Sequence, residues 1–139
     1  GSWQKNHYDG EGLRAELEEN GTILGYKTII DWEKTEHESV TAMIEVKLTP
    51  QRDRGFDRVA EKIYNYDEVK SLYLMSGGYD LCVIVTGQSF QGVAMFVAKR
   101  LAPIAGVVST ATHFVLRKYK DNGVEMQDTE HDDRESFSF

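Results

Sequence analysis

Leu81-Cys82-Val83-Ile84-Val85 is an unbroken apolar run, and it limits the folds open to this chain more than any other segment. Side chains along a strand alternate between the two faces of a sheet. A strand through this run turns Leu81, Val83 and Val85 to one side and Cys82 and Ile84 to the other, so both sides must be kept from water. A single layer of helices covers only one side. The sheet that holds this strand therefore needs helices on one face and a further cover on the other.

The flanking segments supply such a sheet. Ala42, Ile44, Val46 and Leu48 alternate with Met43, Glu45 and Lys47, a strand pattern ended by Pro50. Phe56, Val59, Ala60 and Ile63 recur at i, i+3, i+4 and i+7, the stripe of an amphipathic helix. Val69 to Met75 reads as a second strand and Tyr79 to Thr86 as a third. Between them Ser76-Gly77-Gly78 marks a tight turn, since glycine accepts the positive φ that hairpin turns need. Phe90, Val93, Ala94, Val97 and Leu101 form another helical stripe, with Ser89 as N-cap and Pro103 near its end. Val107 to Tyr119 is a long last strand. The order β-α-β-β-α-β predicts an α+β, ferredoxin-like sandwich.

Ahead of that unit, Leu13 to Asn20 reads as a short helix with Gly21 as its C-cap, Thr22 to Asp31 as an extra N-terminal strand, and Trp32 to Ser39 as a polar connector. The expected organisation is a polar, poorly ordered or vector-derived stretch over 1–12, a linking region over 13–39, the ferredoxin-like domain over 40–127, and an acidic disordered tail over 128–139. Two helices cover one face of a four-stranded sheet. Leaving the other face wet sacrifices several kcal/mol, at ~25 cal/mol per Å² of apolar surface. A second copy of the same sheet is the simplest cover, which predicts a homodimer in the form of a dimeric α/β barrel.

Composition narrows the functions. The 139 residues suffice for one domain with a real core. No run of eighteen apolar residues occurs, so no membrane span or membrane partner is expected. The single cysteine, Cys82, allows no internal disulfide and fits a reducing cytoplasm. Net charge is −7, and the basic residues cluster no further than the spaced set Arg117, Lys118 and Lys120. Duplex binding needs clustered cations, so tight nucleic-acid binding by these residues alone is not expected.

Three segments carry a family resemblance. Leu17-Glu18-Glu19-Asn20-Gly21-Thr22-Ile23-Leu24-Gly25-Tyr26 resembles the end of a recognition helix and the strand leading out of it. Ser76-Gly77-Gly78-Tyr79-Asp80 resembles a glycine-tyrosine-aspartate hairpin, and Gly106-Val107-Val108-Ser109-Thr110-Ala111-Thr112 a Val-x-x-Thr-x-Thr opening of the last strand. Together, over roughly residues 13–127, they resemble the Lrp/AsnC (feast/famine) transcription regulators. Members carry a helix-turn-helix where this chain has twelve polar residues, so DNA binding is expected only through that missing part of the parent protein. The resemblance implies sheet-to-sheet dimers, assembly into tetramers or octamers, and a small effector, commonly an amino acid, at contacts between dimers.

A free amino acid presents an ammonium, a carboxylate and a side chain. Backbone N–H groups at Gly77 and Gly78 suit the carboxylate, Asp80 suits the ammonium, and Thr110 and Thr112 offer hydroxyls from one face of the last strand. With Tyr79 these are the candidate ligand-binding residues. Each has a plainer reading: glycines as a turn, Asp80 satisfying local backbone, the threonines serving β-propensity, and Tyr79 packing in the core. No catalytic residue, cofactor or metal site is expected, since His7, His37 and His131 lack ligand spacing and Cys82 looks too buried to be a nucleophile. The competing function is a ferredoxin-like dimeric enzyme acting on a haem or porphyrin, with His113 and Tyr79 as catalytic candidates.

Overall fold

The structure is a computed structural model that describes residues 10–50 and 55–126. The expected tail over 128–139 and most of the stretch 1–12 lie outside the described residues. The chain divides between Ile30 and Asp31 into two compact units.

In the first unit, helix α1 spans Gly10–Glu19, so three residues expected as unstructured, 10–12, are helical. Its end is built as the sequence predicts. Gly21 adopts φ +80°, the Thr22 N–H donates to the Leu17 carbonyl at 2.9 Å, and the Gly21 N–H donates to the Glu18 carbonyl at 3.2 Å. This pair of bonds is the Schellman closure of a helix, and it needs a residue that tolerates positive φ. The extra strand expected over Thr22 to Asp31 does not form. No strand pairs with it among the described residues, and a strand without a ladder partner leaves its N–H and C=O groups to water. Leu24 is accordingly 92% exposed. Tyr26 turns back on the helix instead, donating its hydroxyl to the Glu18 carboxylate at 2.7 Å.

The second unit holds β1 (Val40–Leu48), α2 (Gly55–Tyr64), β2 (Val69–Leu74), β3 (Leu81–Gly87), α3 (Phe90–Phe96, continued as a π-helix over Val97–Leu101) and β4 (Val107–Phe114). The four strands form one antiparallel sheet in the order β2-β3-β1-β4. This is the ferredoxin-like arrangement that the element order predicts. β1 pairs with β3 from Val40↔Gly87 to Val46↔Leu81, and with β4 from Ala42↔Phe114 to Leu48↔Val107.

Register sends every second residue of β1 to the helices. Ala42, Ile44, Val46 and Leu48 are all buried, together with Leu81, Val83 and Val85 of β3. Val59 and Ile63 of α2 and Val93, Phe96, Val97 and Leu101 of α3 and its π-helical continuation complete the core. Fully burying such a side chain stabilises by roughly 1.5–3 kcal/mol, so this layer is the main attractive term in the fold. Ser89 caps α3 as expected, its hydroxyl accepting the Gly92 N–H at 2.9 Å. The buried face of that helix differs from expectation: Phe96 takes the place of Ala94, because its ring packs edge-on against Tyr66 at 5.5 Å.

The last strand is shorter than the predicted span to Tyr119. It ends at Phe114, and the chain then forms a small hairpin of β5 (Lys120–Asp121) and β6 (Val124–Glu125). Asn122 and Gly123 both take positive φ, 49° and 83°, as an Asn-Gly hairpin turn requires. The face of the sheet away from the core cluster carries Met43, Glu45 and Lys47 of β1, Cys82 and Ile84 of β3, Tyr73 of β2, and Ala111 and His113 of β4. Among the described residues no helix is long and apolar enough to cross a membrane.

Candidate functional site

The hairpin between β2 and β3 is closed by backbone. The Met75 N–H donates to the Asp80 carbonyl at 2.8 Å, and the Asp80 N–H donates to the Val46 carbonyl at 3.0 Å. Gly77 adopts φ +109°, a conformation that side chains disfavour, whereas Gly78 does not. A Cβ placed on either glycine would meet nothing within 4 Å, so both backbones face open space. That openness is what close approach by a small anion requires.

Asp80 has a structural task. Its Oδ2 accepts the Leu48 N–H at 2.7 Å, across 32 residues of chain. Leu48 sits where the β1–β4 register shifts, so its N–H falls out of the regular ladder and needs an acceptor. A carboxylate is a strong one. The adjoining Thr49 N–H donates to the Gly106 carbonyl at 2.8 Å, with Gly106 at φ +98°. The end of β1 is thus gripped from both sides, by the Gly77–Asp80 hairpin and by the opening of β4.

Tyr79 lies close to Cys82 and Glu45, both of the helix-free side. Desolvation is the chief cause that raises the Tyr79 phenol above its ordinary value, with the nearby Cys82 and the Glu45 carboxylate adding to it. Burial likewise pushes the Cys82 thiol up; the neighbouring Tyr79 hydroxyl offsets part of the effect and Glu45 adds to it. Cys82 is only 5% exposed and keeps its proton at neutral pH, so it has neither the access nor the charge of a nucleophile.

Thr110 and Thr112 point the other way. They pair with Val46 and Ile44, so both are half-buried on the helix-covered face. Thr110 and Asp80 flank β1 at the same end of the sheet, two strand spacings or roughly 9–10 Å apart. The structure therefore brings Gly77, Gly78, Tyr79 and Asp80 together in one hairpin and sets Thr110 near its end of the sheet. Thr112 lies one step further along, and no single face of one chain holds all six.

His113 faces the helix-free side, opposite Thr112 as the alternation predicts, and its Nε2 lies 3.2 Å from Glu45 Oε2. That pair was not legible in the sequence, because Glu45 in β1 and His113 in β4 lie far apart along the chain and meet only through register. His37 packs against Trp32 with ring centroids 4.8 Å apart and the rings tilted at 46°. Among the described residues no three His, Cys, Asp or Glu side chains converge to hold a metal ion.

Comparisons with known proteins agree with this geometry. The sequence profile of the Lrp/AsnC ligand binding domain matches residues 41–125. The uncharacterized HTH-type transcriptional regulator YugG of Bacillus subtilis is 55% identical over 108 residues, 77% of this chain and 65% of that protein. The chain thus spans just under two thirds of YugG. The HTH-type transcriptional regulator LrpA of Pyrococcus horikoshii is 29% identical over 104 residues, 75% of this chain and 71% of that protein. Among solved structures, the transcriptional regulator NMB0573 of Neisseria meningitidis, in complex with L-Met, superposes with a TM-score of 0.65 at 23% identity, covering 82% of this chain and 74% of that one. Its fold is the fold described above, and the relatives are transcription regulators by name. A β-α-β-β-α-β sheet with a glycine-tyrosine-aspartate hairpin at its end, matched over most of its length, places this chain in the Lrp/AsnC ligand-binding-domain family.

Proposed function

We propose that this chain is the effector-sensing and oligomerising domain of an Lrp/AsnC-type regulator, taking an amino acid at a contact between subunits and thereby modulating DNA binding by the parent protein. The observation that carries the pairing is the helix-free sheet face. It presents Met43, Tyr73, Cys82, Ile84 and Ala111, with Glu45 and His113 satisfying one another in its midst. A second copy laid against that face removes its apolar surface from water, and the two-fold repeat makes the contact self-complementary.

For the effector, the open Gly77 and Gly78 backbone suits a carboxylate. Asp80 has one carboxylate oxygen committed to Leu48, and its other oxygen suits an ammonium. Because Thr110 and Thr112 lie on the other face of the sheet from Tyr79, the threonines and the hairpin serve one ligand only if different subunits contribute them. A site shared between subunits couples ligand binding to assembly, which is what a sensor needs. The L-Met complex of NMB0573 supports an amino acid as the ligand class.

The test has two parts. Light scattering on the eluting protein at micromolar concentration is expected to give a dimer or larger assembly; a chain that stays at 15.8 kDa refutes the pairing. A melting-temperature screen of the twenty amino acids at millimolar levels is expected to find at least one that stabilises by mass action, with the rise lost in Asp80→Asn. No shift with any of them refutes the effector site.

A further inference from the structure

The helix-free face of the sheet carries an acid and an imidazole in contact, with His113 Nε2 3.2 Å from Glu45 Oε2. Register sets them on adjacent strands as diagonal neighbours: His113 pairs with Met43, and Glu45 with Ala111. In the single chain both side chains reach water, His113 at 53% exposure and Glu45 at 31%. Water there stabilises the Glu45 carboxylate whether or not the imidazole carries a proton. Covering the face takes that water away, and the charge on the imidazole then decides whether the carboxylate is neutralised.

Histidine is the side chain whose ordinary titration falls between pH 5 and 8. Its neighbours on this face do not change charge in that window. From β1 comes Lys47, from β3 Cys82, with Tyr79 close by, and from β2 Tyr73; β4 itself adds only Ser109 and Ala111. Lysine, tyrosine and cysteine ordinarily keep their protons through that window. For Tyr79 and Cys82 burial holds the proton more tightly still, and the Glu45 charge adds to it. Lys47 is exposed, and its flexible stem lets the ammonium stay in water when the face is covered. Past the end of β4, Arg117 lies over the Tyr119 ring and Lys118 lies 3.8 Å from Asp121, so both of these cations have company of their own. The helices pack on the opposite face of the sheet.

We propose that the Glu45–His113 pair makes the pairing of two copies proton-linked, each protomer taking up a proton as the sheet faces close, so that assembly tightens as pH falls. This rests on the reading that a second copy covers this face. A two-fold contact brings the same pair from each protomer, so two copies of it leave water together. With a neutral imidazole each pair carries a whole negative charge into the interface, hydrogen-bonded but not neutralised, and such a charge is costly to desolvate. With an imidazolium each pair is neutral and held by a charge-assisted hydrogen bond. Closing the interface therefore favours the protonated form. By linkage the gain is fully present at pH values below those where a free imidazole titrates, and it is lost as pH rises through the range of the assembled one. Because binding couplings are reciprocal, acidification and any effector that tightens assembly reinforce each other.

The experiment is fluorescence-detected sedimentation of the full chain, from nanomolar to micromolar concentration, at about pH 6 and about pH 8. Salt at about 0.3 M screens the chain's net charge and its other histidines. The dimer Kd is expected to be at least about tenfold lower at the acidic pH. Both side chains reach solvent, so substitutions there leave the core intact. His113→Gln should bring the two Kd values within about twofold of each other. Glu45→Gln should reverse the sign, with the dimer about threefold weaker at the acidic pH, because a cation without its carboxylate now has to be desolvated. A dimer of equal strength at both pH values overturns the proton linkage and leaves the pairing standing. The same holds if His113→Gln keeps the pH dependence, or if Glu45→Gln keeps its sign. A monomer at micromolar concentration and both pH values overturns the pairing and the linkage together.

Discussion

Replacing Asp80 tests whether its carboxylate holds the sheet together, and two substitutions separate that role from ligand binding. In Asp80→Ala the Leu48 N–H, 2.7 Å from Oδ2 and partly buried, loses its acceptor at a place where the β1–β4 ladder offers no other. A hydrogen bond to a charged group contributes about 1.5–3 kcal/mol net, so the alanine variant is expected to lose that much. Asp80→Asn keeps a carbonyl oxygen in the same position and gives up only the charge, which should cost about 1 kcal/mol. At ~4 °C per kcal/mol for a domain of this size, melting points should fall by about 6–12 °C for alanine and ~4 °C for asparagine. Urea denaturation at one fixed protein concentration measures both, because the stability of a self-associating chain depends on concentration. Equal losses in the two variants, or a loss under ~0.5 kcal/mol in the alanine variant, would refute the assignment of Asp80 as the acceptor that anchors β1. The asparagine variant is then the right one for effector binding, since it removes the charge with the least damage to the fold.

Other outcomes follow from the same geometry. Gly77→Ala forces a side chain into φ +109° and should destabilise by about 1 kcal/mol or more, whereas Gly78→Ala, with ordinary φ and open space, should be close to neutral by thermal melting. Ile63→Ala empties a fully buried position where α2 meets the sheet, and urea denaturation should show a loss of about 2–5 kcal/mol. Burial holds the Cys82 thiol above its ordinary value of 9.0, so the folded chain keeps a proton that the unfolded chain releases. Stability from this group is therefore fully present below pH 9.0 and declines as pH rises beyond it. Thiol-reactive dyes should accordingly label Cys82 slowly in the native protein at pH 7 and rapidly in urea; fast native labelling would contradict the burial.

Much of the fold can be read from side-chain order alone. The alternation from Ala42 to Leu48 is realised residue by residue, and Ser89 and Gly21 end their helices because capping depends on groups within a few positions of each other. The Gly77 turn is equally local. Misreadings arise where a neighbour decides. Residues 22–31 have strand composition but no ladder partner among the described residues, since β-propensity describes fitness for a sheet and cannot supply one. Phe96 displaces Ala94 on the buried face because Tyr66, thirty positions earlier, offers its ring an edge to pack on.

The candidate site divides along the same line. Residue types in the Gly77–Asp80 hairpin announce a turn with an acid beside it, and the threonines announce hydroxyls on one face of a strand. Only the packed sheet shows that the Asp80 carboxylate is bonded to Leu48, that Tyr79 and the threonines look out of opposite faces, and that Glu45 meets His113. Periodicity and caps are set by near neighbours along the chain, so the order of side chains determines them. Contacts between residues tens of positions apart depend on strand order and register, and those are chosen by the burial of the whole apolar surface at once.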